Sequence, residues 1–341
     1  MMPRLPQFFL LIITLLGCKS DRDRLPGSAG GQDEVLVVMP KGHWESEPGA
    51  AVRALLQQPL AGLPQQEAMF RVAQCKPEDF ASLLQLHHTV LFADLEASRA
   101  EVRSLKEVHA VGQLIVRVEA PDPGSWIALL RERGEGITSA FETHHRERTG
   151  AQVKREVDDR VVSAVQQRLG VTLDIPGGYR VMTLEDDFAW LQRDRVMAGS
   201  GMEHNVIEGL LIHRHPYTSD TIWNVRSLVA LRESVTRSRV PGPYPGSYLV
   251  VPKAFEGIDL MPRGRATELN GRYAYLMRGL FGMEGAKMGG PFVSLSTLDA
   301  IGDRIITVEG FVYAPQFDKR PYVRELEAVL FSLREGAKKN P

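Results

Sequence analysis

Two histidines in the LIHRH segment at 211–215 are the residues whose type and spacing best suit a chemical role. In a strand, residues two positions apart point to the same face with Cα atoms about 7 Å apart, and imidazole is a common zinc ligand. The pattern predicts that His213 and His215 share one face and begin a metal site. A third ligand is needed, and neither His204 nor Glu208 has a spacing that supplies it. Two histidines on a solvent-facing strand are the alternative.

Two further histidine pairs, His87-His88 and His144-His145, are adjacent in the sequence. Neighbouring side chains on a helix diverge by about 100°, so an adjacent pair is poorly placed to share one ion. These pairs rank below His213 and His215 as metal ligands.

Three consecutive carboxylates, Glu185, Asp186 and Asp187, precede the apolar FAWL segment at 188–191. Acidic residues before a helix cap its first turn and interact favourably with its dipole. We therefore interpret this cluster as the start of a helix, with acid–base catalysis as the alternative.

The glycine-rich GMEGAKMGG segment at 282–290 lacks the Gly-Lys-Ser/Thr sequence of a phosphate-binding loop. It favours a mobile connection near Arg278. Because glycine gives backbone freedom beside charged side chains, we predict a binding loop that uses Arg278, Glu284 and Lys287.

The chain has no His-Glu-x-x-His, Cys-x-x-Cys, Ser-x-x-Lys or Gly-x-Ser-x-Gly motif. Its net charge of -1 and the absence of a basic tract also argue against a nucleic-acid partner. No cofactor is predicted apart from a covalent lipid.

That lipid is predicted from the N-terminus, where Arg4 is followed by an apolar run of about nine residues at 8–16. The run is shorter than the roughly 20 residues that a transmembrane helix needs. It ends in Leu-Leu-Gly-Cys, which resembles the bacterial lipobox. We expect residues 1–17 to be a signal peptide and Cys18 to carry diacylglycerol and acyl chains, which anchor the mature protein to a membrane.

The second cysteine, Cys75, has no partner in the chain if Cys18 is lipidated. A disulfide framework is therefore excluded on that condition, and Cys75 is predicted to be a buried structural thiol.

Residues 18–33 are charged and then rich in glycine and serine, which predicts a flexible tether. Lys19 follows the lipid site, whereas an acidic residue there is the usual signal for retention at the inner membrane. We expect attachment to the outer membrane of the cell envelope, on its periplasmic or its surface side.

The remaining chain alternates predicted strands and helices. Strands are expected at 34–38, 89–93, 113–118, 171–175, 180–184, 207–214, 247–251, 291–295 and 304–313, and helices near 50–56, 123–148, 150–170, 221–238 and 321–333. This predicts an α+β protein with largely antiparallel sheets and packed helices. It divides into an N-terminal α/β half at 34–150 and a C-terminal α/β half at 151–341, which are either two similar halves or one domain at 34–341.

Nearly the whole mature chain resembles the DUF4837 family, lipoproteins of Bacteroidetes without an assigned activity. The segments that carry the resemblance are EVLVV at 34–38, LPQQE at 63–67, IPGGY at 175–179, DFAWL at 187–191, PGPYPGSY at 241–248, RGLF at 278–281, MGGPF at 288–292 and FVYAP at 311–315. The chain departs from the family at His88-Thr89-Val90 and at Phe281, where tryptophan is usual. The resemblance implies an envelope lipoprotein and leaves its activity open.

Two function classes follow. The first is a non-catalytic binding or assembly lipoprotein that presents its sheet, or the segments 241–248 and 282–291, to another envelope protein or a glycan. The alternative is an envelope hydrolase or metal-dependent enzyme that uses His213 and His215, or the carboxylates near Asp186. The missing catalytic motifs favour the first class.

Overall fold

The computed structural model describes residues 25–199, 201–255 and 257–335, so the predicted signal peptide and Cys18 lie outside the described residues. The α+β class is confirmed, because the described residues form two main sheets that are covered by helices. None of the helices described is long and apolar enough to cross a membrane.

The N-terminal half contains a five-stranded sheet with the order β2-β1-β3-β5-β4. Strands β2, β1, β3 and β5 are parallel to one another, and β4 pairs antiparallel to β5. Val35 to Val38 in the interior strand β1 are all buried, as expected for a strand that is covered on both faces. The strands are β1 (Glu34–Val38), β2 (Arg71–Cys75), β3 (Thr89–Asp94), β4 (Glu101–Lys106) and β5 (Leu114–Glu119).

Three helices pack on this sheet: α1 (Lys41–Trp44), α2 (Glu47–Leu56) and α3 (Pro123–Val153). The long helix α3 begins where Asp122 accepts a hydrogen bond from the Ser125 backbone N–H at 2.9 Å, and Pro123 occupies its first turn. The N-terminal core contains Trp126, Leu130 and Phe141 of α3.

The predicted helix at 150–170 is wrong as a single element. Helix α3 ends at Val153, and α4 (Asp159–Leu169) begins after Asp158, whose carboxylate accepts a hydrogen bond from the Arg160 N–H at 3.0 Å. An N-cap residue needs extended backbone, so the capping aspartate interrupts an apolar pattern that otherwise runs on. Gly170 ends α4 in the left-handed conformation.

The C-terminal half is built on an eight-stranded antiparallel sheet with the order β10-β14-β15-β16-β9-β8-β7, and β13 also pairs with β14. Helix α5 (Val225–Arg239) covers one face, and α6 (Arg320–Phe331) covers the other. The strands of this half are β6 (Val171–Thr172), β7 (Arg180–Leu184), β8 (Phe188–Gly199), β9 (Met202–Pro216), β10 (Tyr248–Val250), β11 (Ala254–Phe255), β12 (Ile258–Asp259), β13 (Arg263–Leu269), β14 (Arg272–Glu284), β15 (Ala286–Leu298), β16 (Arg304–Tyr313) and β17 (Arg334–Glu335).

The FAWL segment at 188–191 starts strand β8 rather than the predicted helix. Phe188 and Trp190 pack under α5, whereas Ala189 and Leu191 pack in the core on the α6 side. Because both faces of β8 are buried at this end, the FAWL segment is continuously apolar and lacks the alternation that marks a half-exposed strand.

The glycine-rich segment is also not a mobile connection. It forms the tip of the β14–β15 hairpin, where Gly285 has a φ of 76°. A Cβ on Gly290 would lie 2.0 Å from the Val312 carbonyl oxygen, so close backbone packing requires glycine there.

Part of the predicted tether is ordered. Gly27 forms a parallel bridge with Val111, Ala29 forms one with His87, and Asp33 is 1% exposed. Glycine and serine in this stretch allow the backbone to follow the sheet edge closely, which composition alone does not distinguish from a flexible segment.

A buried charge network joins the two halves where α3 meets α6. Arg324 Nη1 lies 2.9 Å from Glu142 Oε1 and 3.5 Å from Glu327 Oε2, and Arg324 Nε lies 3.8 Å from Asp33 Oδ1. Arg278 contacts both Glu142 and Glu327. Each of these five side chains is at least nine-tenths buried, so the charges must neutralise one another.

The acids in this network respond differently to burial. Burial alone would raise the pKa of Glu142, but the guanidinium groups of Arg278, Arg324 and Arg265 hold it well below its ordinary value. For Asp33, burial prevails over Arg324 and Arg320 and raises the pKa. The difference follows from distance, because Asp33 is 3.4 Å or more from both arginines.

We predict that Arg324→Met lowers the free energy of unfolding by about 3 to 5 kcal/mol, because it leaves buried carboxylates without their shared partner. The matched control is Arg334→Met, which removes the ion pair of a half-exposed arginine with Asp174 and should lose less than about 1 kcal/mol. Urea unfolding followed by circular dichroism measures both. Equal losses in the two variants would contradict the role of the network.

Candidate binding cleft

His213 and His215 lie on β9, as the sequence predicted, with ring centroids 5.1 Å apart. His213 is buried under α5 rather than facing solvent, and burial lowers its pKa to about 3. Within the residues that the structure describes, no group of three His, Cys, Asp or Glu side chains is placed to hold a metal ion.

The residues of the predicted binding loop do not come together. Glu284 and Lys287 are exposed at the hairpin tip, whereas Arg278 is buried in the network between the halves. The tip instead lies beside segment 241–248, since Tyr248 pairs with Glu284 across β10 and β14. Segments 241–248 and 282–291, which the sequence singled out, are thus neighbours in the fold, but Arg278 belongs to the charge network between the halves.

The carboxylates at 185–187 connect the β7–β8 turn to neighbouring helices. Asp186 lies 3.0 Å from Arg168 of α4, and Arg239 of α5 donates to Asp187 at 2.7 Å. The hydrogen bond from Arg239 lowers the pKa of Asp187. Asp186 therefore pairs with α4, whereas His213 is buried on the α5 face of the sheet. Arg278 lies on the opposite face of the sheet from His213.

The two adjacent histidine pairs form one cluster that sequence reasoning missed. The His88 ring centroid lies 4.9 Å from that of His87, 5.1 Å from that of His145 and 6.2 Å from that of His144. Only the fold brings strand β3 against α3, so no spacing in the sequence reveals the cluster.

Hydrogen bonds in this cluster secure the ordered segment before β1. His88 Nε2 donates to the Gly31 carbonyl at 2.9 Å, and its Nδ1 lies 2.8 Å from the Thr89 hydroxyl. His144 Nε2 donates to the His88 carbonyl at 3.0 Å. Burial is the largest cause that lowers the pKa of both His88 and His144 to about 4, so both are neutral at pH 7.

An open cleft of about 490 Å³ lies between the halves, with α2 and α3 on one side and β13 and β14 on the other. Its volume is within the range of small-molecule sites, which often form between domains. Both apolar and polar side chains line it. The lining residues are Leu55, Gln58, Ala61, Met69, Glu135, Thr138, Glu142, Arg263, Gly264, Arg265, Leu276 and Arg278.

Three arginines line the β13–β14 side of this cleft. Arg263 and Arg265 share one face of β13, and Arg263 is paired directly with Arg278 of β14. Arg265 Nη2 lies 3.0 Å from Glu142 Oε2, and Arg278 Nη2 lies 2.9 Å from Glu142 Oε1. Arg263 is exposed and forms no salt bridge with another described residue.

The cleft therefore combines apolar walls with the positive charge of Arg263, which has no salt-bridge partner in the part of the chain that the structure describes. Like charges directly opposite each other across two strands are unfavourable unless a negative group lies between or beside them. Glu142 forms salt bridges with Arg265 and Arg278 but not with Arg263, so Arg263 is available to bind an anion. The Arg-Gly-Arg sequence at 263–265 is the signal that could have indicated two guanidinium groups on one strand face.

A second cleft of about 470 Å³ lies at the far end of the C-terminal sheet, between Trp223, Tyr273 and Ile301. Its charged groups already have partners, since Arg272 lies 2.7 Å from Glu335 and Asp299 accepts backbone N–H groups of its own loop. It offers apolar surface without an available charge.

Comparisons with known proteins give family matches and weak structural likeness. A model of a domain of unknown function, DUF4837, matches residues 158–332, and another, DUF8532, matches residues 28–154. No curated protein matches the chain.

Among solved structures, the Ran-binding protein Mog1p of Saccharomyces cerevisiae is similar at 10% identity and a TM-score of 0.29, over 49% of this chain and 90% of that chain. A Mog1 mutant gives 11% identity and a TM-score of 0.27, over 50% of this chain and 92% of that chain. A Bacteroides thetaiotaomicron protein gives 10% identity and a TM-score of 0.19, over 50% of this chain and 47% of that chain. Scores this low carry no argument about function.

Acid is expected to destabilise the protein through the histidine cluster. The pKa values of His88 and His144 are about 4 in the folded chain, against an ordinary value of 6.5, so the unfolded chain binds more protons between these values. Stability should therefore fall as the pH falls from about 6.5 towards 4.5, by about 2 kcal/mol for the buried His88. Asp33, whose pKa is raised, opposes this change in part.

The measurement is urea unfolding at several pH values for the native protein, His88→Gln and the control His43→Gln on α1. His88→Gln should reduce the slope of stability against pH, and His43→Gln should leave it unchanged. An identical slope in native protein and His88→Gln would contradict the assignment.

Proposed function

Because this chain belongs to the DUF4837 family, whose function is unknown, we propose from its own geometry a non-catalytic binding protein anchored by lipid in the bacterial envelope. Its ligand is an amphipathic anion that lies in the cleft between the halves. The observation that carries this proposal is Arg263, an arginine without a salt-bridge partner among the described residues that faces Arg278 across two strands.

The charge distribution selects an anion. Arg263 and Arg265 lie at the open side of the cleft, while Arg278 and Glu142 form its floor. A carboxylate or phosphate that approaches Arg263 can accept paired hydrogen bonds from one guanidinium group. The exposed Glu135 faces the same space and disfavours ligands with several negative charges.

The walls select a ligand with an apolar body. Leu55 of α2, Met69 in the segment before β2 and Leu276 of β14 line the cleft with aliphatic and thioether groups. A methionine side chain is flexible and polarisable, so it adapts to ligands of varied shape. A molecule with one terminal anionic group and a hydrocarbon portion matches both parts of the cleft.

The proposed location in the cell envelope is supported by the sequence alone. The apolar run at 8–16 and the Leu-Leu-Gly-Cys sequence that ends at Cys18 support a lipoprotein signal, and Lys19 favours the outer membrane. The lipid would hold the binding cleft close to a membrane, where amphipathic anions are abundant. Neither another envelope protein nor a glycan is needed for this activity.

The alternative of an envelope hydrolase or metal-dependent enzyme gains no specific observation. It would use His213 and His215, or the carboxylates near Asp186, and no group of three side chains placed to hold a metal ion occurs among the described residues. The proposal therefore keeps to binding.

We predict that decanoate, a probe with one carboxylate and an apolar chain, binds in this cleft and that Arg263→Ala weakens binding by about tenfold or more, as expected for loss of a charged hydrogen bond. The control Arg226→Ala removes an exposed arginine of α5 and should not change the affinity. Titration calorimetry gives the dissociation constants.

Methyl-labelled methionine adds a spectroscopic readout. The Met69 methyl resonance should shift on addition of decanoate, whereas the exposed Met182 should not respond. Equal affinities of native protein and Arg263→Ala, or a shift at Met182 alone, would overturn the proposed site.

The anchor has its own test. Cys18→Ala should release a folded, soluble protein from envelopes and abolish incorporation of labelled palmitate, because the acyl chains supply the membrane attachment. Cys75→Ala is the matched control and should leave both properties unchanged. A Cys18→Ala variant that still incorporates palmitate would contradict the lipid site.

A further inference from the structure

Exposed apolar side chains are concentrated at one edge of the N-terminal sheet. Among the described residues, five of the thirteen large exposed hydrophobic side chains lie in the three segments that precede β1, β3 and β5. These strands are parallel, so their amino ends share one edge. We call this surface the apolar rim, and it consists of Leu25 (40% exposed), Leu83 (78%), Leu84 (37%), Val108 (41%) and Val111 (52%).

Backbone hydrogen bonds hold the three segments of the apolar rim together. The Val111 N–H donates to the Pro26 carbonyl at 2.8 Å, and the Ala29 N–H donates to the Leu86 carbonyl at 2.7 Å. The Gln113 side chain donates to the Gln85 carbonyl at 2.6 Å. The rim is therefore a continuous structured surface rather than a set of independent loops.

The chain enters the described structure at this rim. Leu25 is seven positions after Cys18 in the sequence, and a fully extended chain of that length spans at most about 24 Å. If Cys18 carries lipid, covalent geometry keeps Leu25, one member of the apolar rim, within about that distance of the bilayer surface. No other exposed apolar group of the described residues is attached so closely to the anchor.

We infer that the apolar rim docks on the lipid surface, an inference that rests on the proposed lipid attachment at Cys18. Clustered apolar side chains on a soluble surface indicate contact with a partner or membrane. Apolar groups of interfacial proteins are buried about 5 to 10 Å into the boundary between head groups and acyl chains. Leu83 and Val111, the most exposed members, are the side chains that insert.

Docking would fix the orientation of the protein on the membrane. The acyl chains supply attachment, while the rim removes the rotational freedom that a single tether leaves. The amino edge of the N-terminal sheet then faces the bilayer, and the carboxyl ends of β1, β3 and β5 point away from it.

The test uses the full mature lipoprotein in vesicles of phosphatidylethanolamine and phosphatidylglycerol. Amide hydrogen exchange is compared with that of the unlipidated Cys18→Ala chain in solution. Docking predicts about tenfold slower exchange in segments 81–87 and 107–112 on vesicles. The segment 299–303, which carries the 84% exposed Ile301, is the internal control and should exchange equally in both samples.

Variants separate docking from attachment. Leu83→Glu with Val111→Glu should remove the protection while the lipidated protein remains on the vesicles, and Ile301→Glu should preserve the protection. Leu83→Ser with Val111→Ser repeats the test with uncharged groups if the glutamates disturb folding, which circular dichroism reports.

The outcomes distinguish the two proposals. If mass spectrometry shows the lipid but segments 81–87 and 107–112 gain no protection, docking is overturned and lipid attachment stands. If no lipid is found on Cys18, both fail. Protection that survives in both double variants also overturns the role of the apolar rim.

Discussion

Arg324 lies at the contact on which the arrangement of this protein depends. It belongs to α6 of the C-terminal half, yet it faces Asp33 and Glu142 of the N-terminal half as well as Glu327 of its own helix. Removing charges from water is costly, and a buried ion network contributes little net stability compared with apolar packing. What it supplies is geometry, because displacing either half would leave buried charges unpaired. The network therefore holds the segments matched by two family models in one relative position.

The cleft depends on the same interaction. Glu142 directs Oε1 towards Arg324 and Arg278 and Oε2 towards Arg265, so one carboxylate connects the interface between the halves to the floor of the cleft. The pKa of Glu142 is held low by these cations, which keeps it ionised and both of its oxygens paired with guanidinium groups. Arg263 has no salt-bridge partner among the described residues, because the acid on the cleft floor is already shared by Arg265, Arg278 and Arg324.

Sequence patterns predicted the features that depend on local chemistry. The strand with His213 and His215 and the final helix near Pro321 followed from periodicity and the fixed φ of proline. The predictions were wrong where contacts between distant parts of the chain determine the local structure. FAWL at 188–191 is apolar on both faces, and the glycines at 282–290 serve close backbone packing. The histidine cluster joins His88 to His144, 56 positions further along the chain, and only the fold brings them together.

The ordered segment before β1 follows the predicted lipid site in the sequence and packs against both halves of the chain. Ala29 bonds to the segment that leads into β3, the Gly31 carbonyl accepts from His88, and Asp33 faces Arg320 and Arg324 of α6. Residues 25–33 therefore connect the start of the described chain to the contact between the halves. A flexible tether up to Asp33 would decouple the body from a membrane, whereas residues 25–33 are packed against the rest of the chain. Residues 25–33 thus contribute to the apolar rim, the histidine cluster and the charge network at once.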